Sequence, residues 1–182
     1  MKNLCLCALF ATLVAMGSGC NKESADLTVT PIGTVPSEGG TLPGEPTQAQ
    51  PKLQTIKLWI GSEEMIAELA LTPVQQQTGM MYRTNMAENT GMLFPLPYTQ
   101  RASFWMKHCP LPLSAAYIDP EGIIQEIHDL QPHNTNGVVA ASENIRYVLE
   151  TPQGWFQRHN IREGVSIRTE QGSLQQTFFR GR

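Results

Sequence analysis

The fold is decided by the stretch GMLFPLPYTQRASFWMKHCPLPL, which occupies residues 91–113. Its large apolar residues form two runs, 91–94 and 102–107, and prolines follow both runs. The second run carries apolar side chains on both faces, as expected for a strand that is covered on both sides. Proline cannot donate a hydrogen bond within a sheet. We therefore predict two buried strands that end at prolines, with any functional site near Lys107 and Cys109 at the end of the second.

Outward from this stretch, six further segments have the composition of short strands. They are residues 53–60, 65–71, 114–118, 123–128, 145–150 and 165–169. The sequence Asp119-Pro120-Glu121-Gly122 fits a type I turn followed by a glycine bulge, and it predicts a hairpin. Thr72-Pro73-Val74-Gln75 contains a capping box and predicts a helix start, and Thr151-Pro152 marks a second one.

These elements define one globular domain over residues 53–169, with a tail over residues 170–182. The connections are short enough for antiparallel pairing of neighbouring strands. The predicted fold class is therefore α+β, mainly antiparallel β, as a compact β-barrel or β-sandwich-like domain with two short helices.

The first 19 residues read as an export signal, with Lys2 before an uncharged apolar segment, residues 4–15. Gly17-Ser18-Gly19 precedes Cys20, which resembles a bacterial lipoprotein box, although such boxes usually carry Leu at the position of Gly17. We predict that Cys20 is lipidated and anchors the protein in a membrane of the bacterial cell envelope, with the domain in the periplasm or outside the cell. The alternative is ordinary secretory cleavage, with Cys20 an incidental thiol.

Residues 20–52 are rich in proline and glycine and carry almost no large apolar residue. Such a segment buries too little surface to offset its ordering entropy, so we predict a flexible tether. Cys5 and Cys7 leave with the signal and Cys20 is acylated, so Cys109 remains as the only thiol. The domain is therefore expected to fold without an intrachain disulfide.

The charge balance argues against a nucleic-acid partner. The chain has 13 Lys and Arg against 16 Asp and Glu, a net charge of −3, and its one short basic run ends at Arg182. Binding to phosphates needs a basic patch, and the sequence shows none.

Cys109 follows His108, which raises the hypothesis of a thiolate activated by an imidazole. Neighbours on a strand point to opposite faces, however, so His108 is poorly placed to activate Cys109. The alternative is a small apolar residue at a strand end. The spacing of the histidines and Cys109 matches no zinc motif, so we predict neither a metal site nor a cofactor.

Glu150 ends an apolar strand just before a helix start. With Arg83, Lys107 or Arg146 it could form a partly buried ion pair that holds loops together. In the functional alternative the basic groups bind an anionic ligand and Glu150 orients one of them. Five methionines, at positions 80, 81, 86, 92 and 106, either fill an irregular core or line an adaptable apolar groove.

Several ordered motifs resemble the domain of unknown function 192 family over residues 53–169. They are Gly79-Met80-Met81-Tyr82-Arg83, Gly91-Met92-Leu93-Phe94, Phe104-Trp105-Met106-Lys107, Leu111-Pro112-Leu113, Tyr117-Ile118-Asp119 with Gly122, and Tyr147-Val148-Leu149-Glu150 with Gly154-Trp155. The resemblance implies a small, often exported or lipid-anchored protein with a compact, mainly β fold. It implies no established activity, substrate or cofactor.

The chain departs from the family pattern at three places. His108-Cys109 stands where the family usually has Asn-Thr, Ser114 where it has Asp, and Thr90 where it has an acidic residue. The resemblance therefore carries over only Arg83, Lys107 and Glu150 as site residues.

The sequence thus predicts a lipid-anchored envelope protein that binds a small molecule or an envelope partner without catalysis. The predicted ligand-binding residues are Arg83, Lys107, His108 and Glu150. One alternative is an enzyme whose cleft uses Arg83, Lys107, His108 and Cys109. A second alternative is a structural component of the envelope.

Overall fold

The computed structural model describes residues 44–180. The predictions for the signal segment, for Cys20 and for the tether as far as residue 43 lie outside the described residues. The strands are β1 (Thr55–Ile60), β2 (Glu63–Leu69), β3 (Thr90–Gln100), β4 (Ser103–Phe104), β5 (Leu113–Ile118), β6 (Ile124–Leu130), β7 (Val138–Val139), β8 (Ile145–Pro152), β9 (Ile167–Thr169) and β10 (Gly172–Ser173). The helices are α1 (Pro73–Thr78), α2 (Trp155–Arg158) and α3 (Leu174–Phe178).

Eight strands form one sheet in the order β10-β9-β1-β2-β3-β8-β5-β6, and β4 pairs with β7 in a separate ribbon. All neighbours in the large sheet are antiparallel except β2 and β3, which are parallel. The predicted fold class is confirmed. The sequence allowed either a β-barrel or a β-sandwich-like domain. The structure favours the sandwich-like form, because the sheet within residues 44–180 has two edge strands, β10 and β6.

Both faces of the sheet are covered by apolar clusters. Along β5, Ala116 and Ile118 belong to one cluster, while Ala115 and Tyr117 belong to the other. We call the first the helix-side cluster, since Trp155, Phe156 and Leu174 of α2 and α3 lie in it. We call the second the methionine-side cluster; its sulfur-containing members are Met80, Met92, Met106 and Cys109. Successive side chains on a strand alternate in direction, so β5 is buried along its whole length.

The α1 helix begins as its sequence predicts. Thr72 accepts a hydrogen bond from the Gln75 backbone, and the Gln75 side chain accepts one from the backbone of Thr72, so both halves of the capping box form. Gly79 ends the helix at φ 46°, a conformation that glycine adopts readily. The predicted hairpin of β5 and β6 is also present, with the Gly122 backbone donating to Asp119 O at 3.1 Å.

The prediction for residues 91–113 is partly wrong. β3 does not stop at Pro95 but continues to Gln100. β2 pairs with β3 only as far as Leu69 opposite Leu93. Beyond that pair the ladder between β2 and β3 does not continue, so the missing N–H of Pro95 interrupts no pairing on that edge. The strand expected over residues 102–107 is reduced to β4, and Trp105 is 48% exposed. The chain turns here instead, with the Cys109 backbone donating to Met106 O.

The segment expected to be a tail also contains regular structure. Residues 172–178 form β10 and a third helix, α3, which the sequence analysis missed. Leu174 is fully buried, and Phe178 and Phe179 pack against the helix-side cluster. Ser173 and Gln176 form a capping box, so the signal for this helix was present in the sequence. Among residues 44–180 no helix has the length and apolar character needed to cross a bilayer.

Candidate functional site

Arg83 is held in place by Glu68 of β2. Its Nη1 and Nη2 atoms donate to Glu68 Oε1 and Oε2 at 2.6 and 2.8 Å, and both side chains are about 15% exposed. Burial acts to raise the pKa of Glu68, but hydrogen bonds from Arg83 and from the Leu53 backbone outweigh it and leave the pKa lowered. This bidentate geometry fixes the plane of the guanidinium group.

A groove of about 480 Å³ opens beside this ion pair. We call it the Arg83 groove. Its walls are formed by Ala49, Gln50, Lys52, Thr55, Ile66, Glu68, Met80, Tyr82, Arg83, Thr84, Asn85, Met86, Ala87, Thr90 and Gly91. Pockets that bind small molecules typically measure about 300–1,000 Å³. The Arg83 groove therefore has the size of a metabolite site.

Residues 44–52 contact the domain, although the sequence analysis assigned them to the tether. We call this segment the N-terminal strap. Gln50 Nε2 donates to Gln75 O and Gly79 O at 3.2 and 2.9 Å, and Pro46 O accepts a hydrogen bond from Tyr82 Oη at 3.1 Å. The strap thus supplies one wall of the Arg83 groove.

Glu45 of the strap forms an ion pair with Lys107, and its Oε1 atom lies 3.2 Å from His108 Nε2. The Glu45 side chain is 8% exposed, while Lys107 and His108 are 26% and 37% exposed. The His108 ring also stacks on Tyr82 at 5.0 Å between ring centroids. Lys107 and His108 therefore serve to fix the strap and the loop after α1 to each other.

Glu150 lines a second, smaller cavity of about 40 Å³. On β8 it lies opposite Met92 of β3 and Ala115 of β5, so its side chain points into the methionine-side cluster. Burial in these apolar surroundings raises the pKa of Glu150 to about 8. Within residues 44–180, its buried Oε2 atom has no hydrogen-bond partner. We call this space the Glu150 cavity.

Cys109 also lines the Glu150 cavity and is only 3% exposed. Burial raises the pKa of its thiol to about 11, and the nearby Glu150 carboxyl acts in the same direction. Its Sγ donates to Leu111 O at 3.7 Å. A nucleophilic cysteine needs a lowered pKa, so the environment of Cys109 is the reverse of an activating one.

The predicted site residues occupy three separate places. Lys107 and Glu150 line the Glu150 cavity together with Cys109, whereas Arg83 lines the Arg83 groove. His108 lies with Glu45 at the strap. The ion-pair partner of Arg83 is Glu68 rather than Glu150.

Two further histidines have hydrogen-bonded rings, and they lie in two different places. His128 Nε2 lies 2.9 Å from Glu126, and His159 Nδ1 lies 2.9 Å from Glu63. The residues that the structure describes contain no group of three or more His, Cys, Asp and Glu side chains that could hold a metal ion.

Sequence reasoning missed three residues of these sites. Glu68 lies within a predicted strand and Glu45 within a proline-rich segment, so neither position suggested a role. Tyr82 was named only as part of the motif of residues 79–83, yet it has φ 62° and its backbone donates to His108 O at 2.7 Å. A non-glycine residue at positive φ is held there by its surroundings, and no sequence signal marked it.

Comparison with known proteins gives a family match and several similar solved structures, two of which are described below. The family model of domain of unknown function 192, described as "Uncharacterized ACR", matches residues 56–169. None of the curated proteins matches the chain.

A proposed transcription regulator from Sinorhizobium meliloti 1021 has 33% sequence identity and a TM-score of 0.59, and the match covers 63% of this chain and 92% of that one. A protein of unknown function from Novosphingobium aromaticivorans has 25% identity and a TM-score of 0.61, with 72% and 99% of the two chains covered.

Proposed function

Because the chain belongs to the domain of unknown function 192 family, whose description assigns no activity, we propose a function from the geometry of the sites. The protein is a lipid-anchored component of the bacterial cell envelope. Its domain binds a small anionic molecule in the Arg83 groove and does not convert it chemically.

The observation that carries this proposal is the fixed guanidinium of Arg83 on the wall of a metabolite-sized groove. The charged residues of the groove are Lys52, Arg83 and Glu68, which leave one positive charge in excess. Glu68 uses two donors of Arg83 and Pro51 O a third, and a planar guanidinium group has five, so two donors remain for a ligand carboxylate or phosphate.

The arrangement of the reactive side chains favours binding over catalysis. The enzyme alternative requires Arg83, Lys107, His108 and Cys109 in one cleft. Arg83 lies in its groove, Lys107 is ion-paired to Glu45, and His108 Nε2 lies 3.2 Å from the same carboxylate. Cys109 is buried with a raised pKa, which works against nucleophilic attack.

The anchoring part of the proposal is supported by the sequence alone. The apolar segment ends at Gly17-Ser18-Gly19 before Cys20, and a proline-rich stretch follows. Several acyl chains on one cysteine give stable membrane binding, since each buried methylene adds about 0.8 kcal/mol. The Sinorhizobium meliloti protein is described as a transcription regulator. We do not propose that role for this chain, because a net charge of −3 offers little attraction for nucleic acid.

A thermal-shift screen tests the binding proposal. The panel contains carboxylates, phosphate monoesters and glycan fragments, and each anion is paired with its neutral amide or ester. We expect at least one anion to raise the melting temperature while its neutral analogue does not, since a ligand that binds the folded state stabilises it. A panel with no response up to millimolar concentration, together with an envelope-integrity defect on deletion, would support the structural-component alternative instead.

The anchor is tested separately by incorporation of a labelled fatty acid in cells. We expect label in the wild-type chain and none in Cys20→Ala. Label that persists in Cys20→Ala, or its absence from both chains, would contradict the anchor without bearing on the Arg83 groove.

A further inference from the structure

The Glu150 cavity combines a buried carboxyl group with several sulfur-containing residues. Met80, Met106 and Cys109 line the cavity and also belong to the methionine-side cluster. We propose that this cavity binds a soft monovalent metal ion, Cu(I), with the thioether sulfur atoms of Met80 and Met106 as ligands and the Glu150 carboxylate as the balancing charge, while Cys109 keeps its proton.

The first support is the position of Glu150. The residue is 4% exposed, and within residues 44–180 no donor lies within hydrogen-bond distance of its buried Oε2 atom. Its cross-strand neighbours are Met92 and Ala115, which are both apolar. An ionised carboxylate in such surroundings is strongly disfavoured unless a cation accompanies it. A cation bound in the cavity would supply that partner.

The second support is the size of the cavity. At about 40 Å³ it is several-fold smaller than a typical metabolite site, which measures about 300–1,000 Å³. A water molecule needs about 10–15 Å³ on the same measure, so the cavity has room for an ion or for very few atoms. The Glu150 cavity is therefore of the size of an ion site, whereas the Arg83 groove is large enough for an organic ligand.

The third support is the chemistry of the donors. Methionine thioether sulfurs, which are neutral, select soft ions such as Cu(I), whereas Mg²⁺ and Ca²⁺ require oxygen ligands. A single carboxylate among neutral sulfurs contributes one negative charge, which matches a monovalent ion. When the ion enters, the proton that Glu150 carries in the empty cavity leaves to solvent, so the charge inside the cavity stays balanced.

Lys107 is the cationic residue among those that line the cavity. It forms an ion pair with Glu45 of the strap, and this neutralises most of its repulsion toward a bound cation. The proposal departs from the expectation of no metal site, which considered only the spacing of histidine and cysteine. It is independent of ligand binding in the Arg83 groove.

The test uses the full chain in mild detergent, with Cys5, Cys7 and Cys20 replaced by serine so that Cys109 is the only thiol. Cu(I) is titrated anaerobically in competition with a colorimetric Cu(I) chelator. We expect one ion per chain. Met106→Leu and Glu150→Gln should each weaken binding by about 10- to 100-fold, as loss of a group that supports a metal site does.

The matched control is Met65→Leu, which changes an equally buried methionine in the helix-side cluster. A methionine-to-leucine change conserves volume, so Met65→Leu should bind Cu(I) within about twofold of the parent chain. Thermal unfolding of each variant verifies its fold. Equal weakening in Met65→Leu would contradict the assignment of the site.

A second readout needs no variant. Ag(I), a redox-inert analogue of Cu(I), should raise the melting temperature of the parent chain, while Zn²⁺ and Mg²⁺ should not. The proposal fails if Ag(I) and Cu(I) leave the melting temperature unchanged, or if they bind equally well to Met106→Leu and Glu150→Gln. The sulfur-containing residues then serve only to fill the core.

Discussion

Arg83 is fixed by Glu68, whose two carboxylate oxygens accept hydrogen bonds of 2.6 and 2.8 Å from the guanidinium group. The pair joins the loop after α1 to β2, and the N-terminal strap passes beside it, with Arg83 Nη2 lying 3.4 Å from Pro51 O. An arginine held this firmly offers its remaining donors in one orientation. This lowers the entropy lost when a ligand binds and favours the Arg83 groove as the ligand site.

Glu150 should make the stability of the metal-free protein depend on pH. Its folded pKa is about 8, above its ordinary value of 4.5, so the folded state holds a proton that the unfolded state releases. Stability is therefore highest below pH 4.5 as far as this group is concerned and falls as pH rises toward 8, by at most about 1.4 kcal/mol per pH unit.

Urea unfolding between pH 5 and pH 8 measures this effect. Glu150→Gln should lack the decline and gain stability relative to wild type as pH rises. Glu163→Gln, a change at an exposed carboxylate, should keep the wild-type slope. Parallel pH profiles for wild type and Glu150→Gln would show that the carboxyl is not buried in the protonated form.

Cys109 should react slowly with thiol reagents in the folded protein. Its side chain is buried and the pKa is raised to about 11, so very little thiolate exists at neutral pH. In the chain with Cys109 as its only cysteine, we expect modification at pH 7.5 to proceed only as the protein unfolds. Rapid modification of Cys109 under native conditions would contradict this prediction and support the enzyme alternative.

Replacement of Glu45 should loosen the N-terminal strap. In Glu45→Gln the ion pair with Lys107 is lost and the contact with His108 Nε2 is altered, and the free energy of unfolding should fall by about 1–3 kcal/mol, as for a hydrogen bond to a charged group. Thermal and urea unfolding measure the change. Glu64→Gln, which breaks the exposed pair with Lys57, is the control and should have a smaller effect. Equal effects would mean that the strap contributes no more than a surface ion pair.

Gly91→Ala should destabilise the centre of the sheet. A Cβ atom at this position would lie 2.8 Å from Met65 Sδ and 3.0 Å from Glu150 O. Such crowding typically lowers the free energy of unfolding by about 1–3 kcal/mol. Urea unfolding at pH 7 measures it, and an unchanged midpoint would show that Met65 moves aside without cost.

Local signals in the sequence predicted much of the fold. The capping box at Thr72 and Gln75 and the turn before Gly122 depend on neighbouring residues, and both formed as expected. The parallel pairing of β2 with β3 depends instead on contacts between distant segments, which no local pattern specifies. The pairing of the short β4 with the two-residue strand β7 also joins distant segments, so no local pattern predicts it.

The candidate site was predictable only in part. Arg83, Lys107 and Glu150 came from motifs, but the sequence could not reveal that they divide between two cavities. Glu45 contacts residues more than 60 positions away, and a proline-rich composition hid it. The tertiary fold brings such groups together, so their roles become visible only in the structure.

The most direct test of the ligand-binding account is the affinity of the anion found by thermal shift, measured by calorimetry on wild type and Arg83 variants. Arg83→Gln is combined with Glu68→Gln, so that no buried carboxylate is left unpaired, and Arg83→Lys keeps the charge without the planar fork. Arg101→Gln, a change at an exposed arginine, is the control. We expect the double variant to bind about 10- to 100-fold more weakly, the loss of one charge-assisted hydrogen bond, with Arg83→Lys between it and wild type. Equal affinity in wild type and the double variant would contradict the central claim that Arg83 binds the ligand.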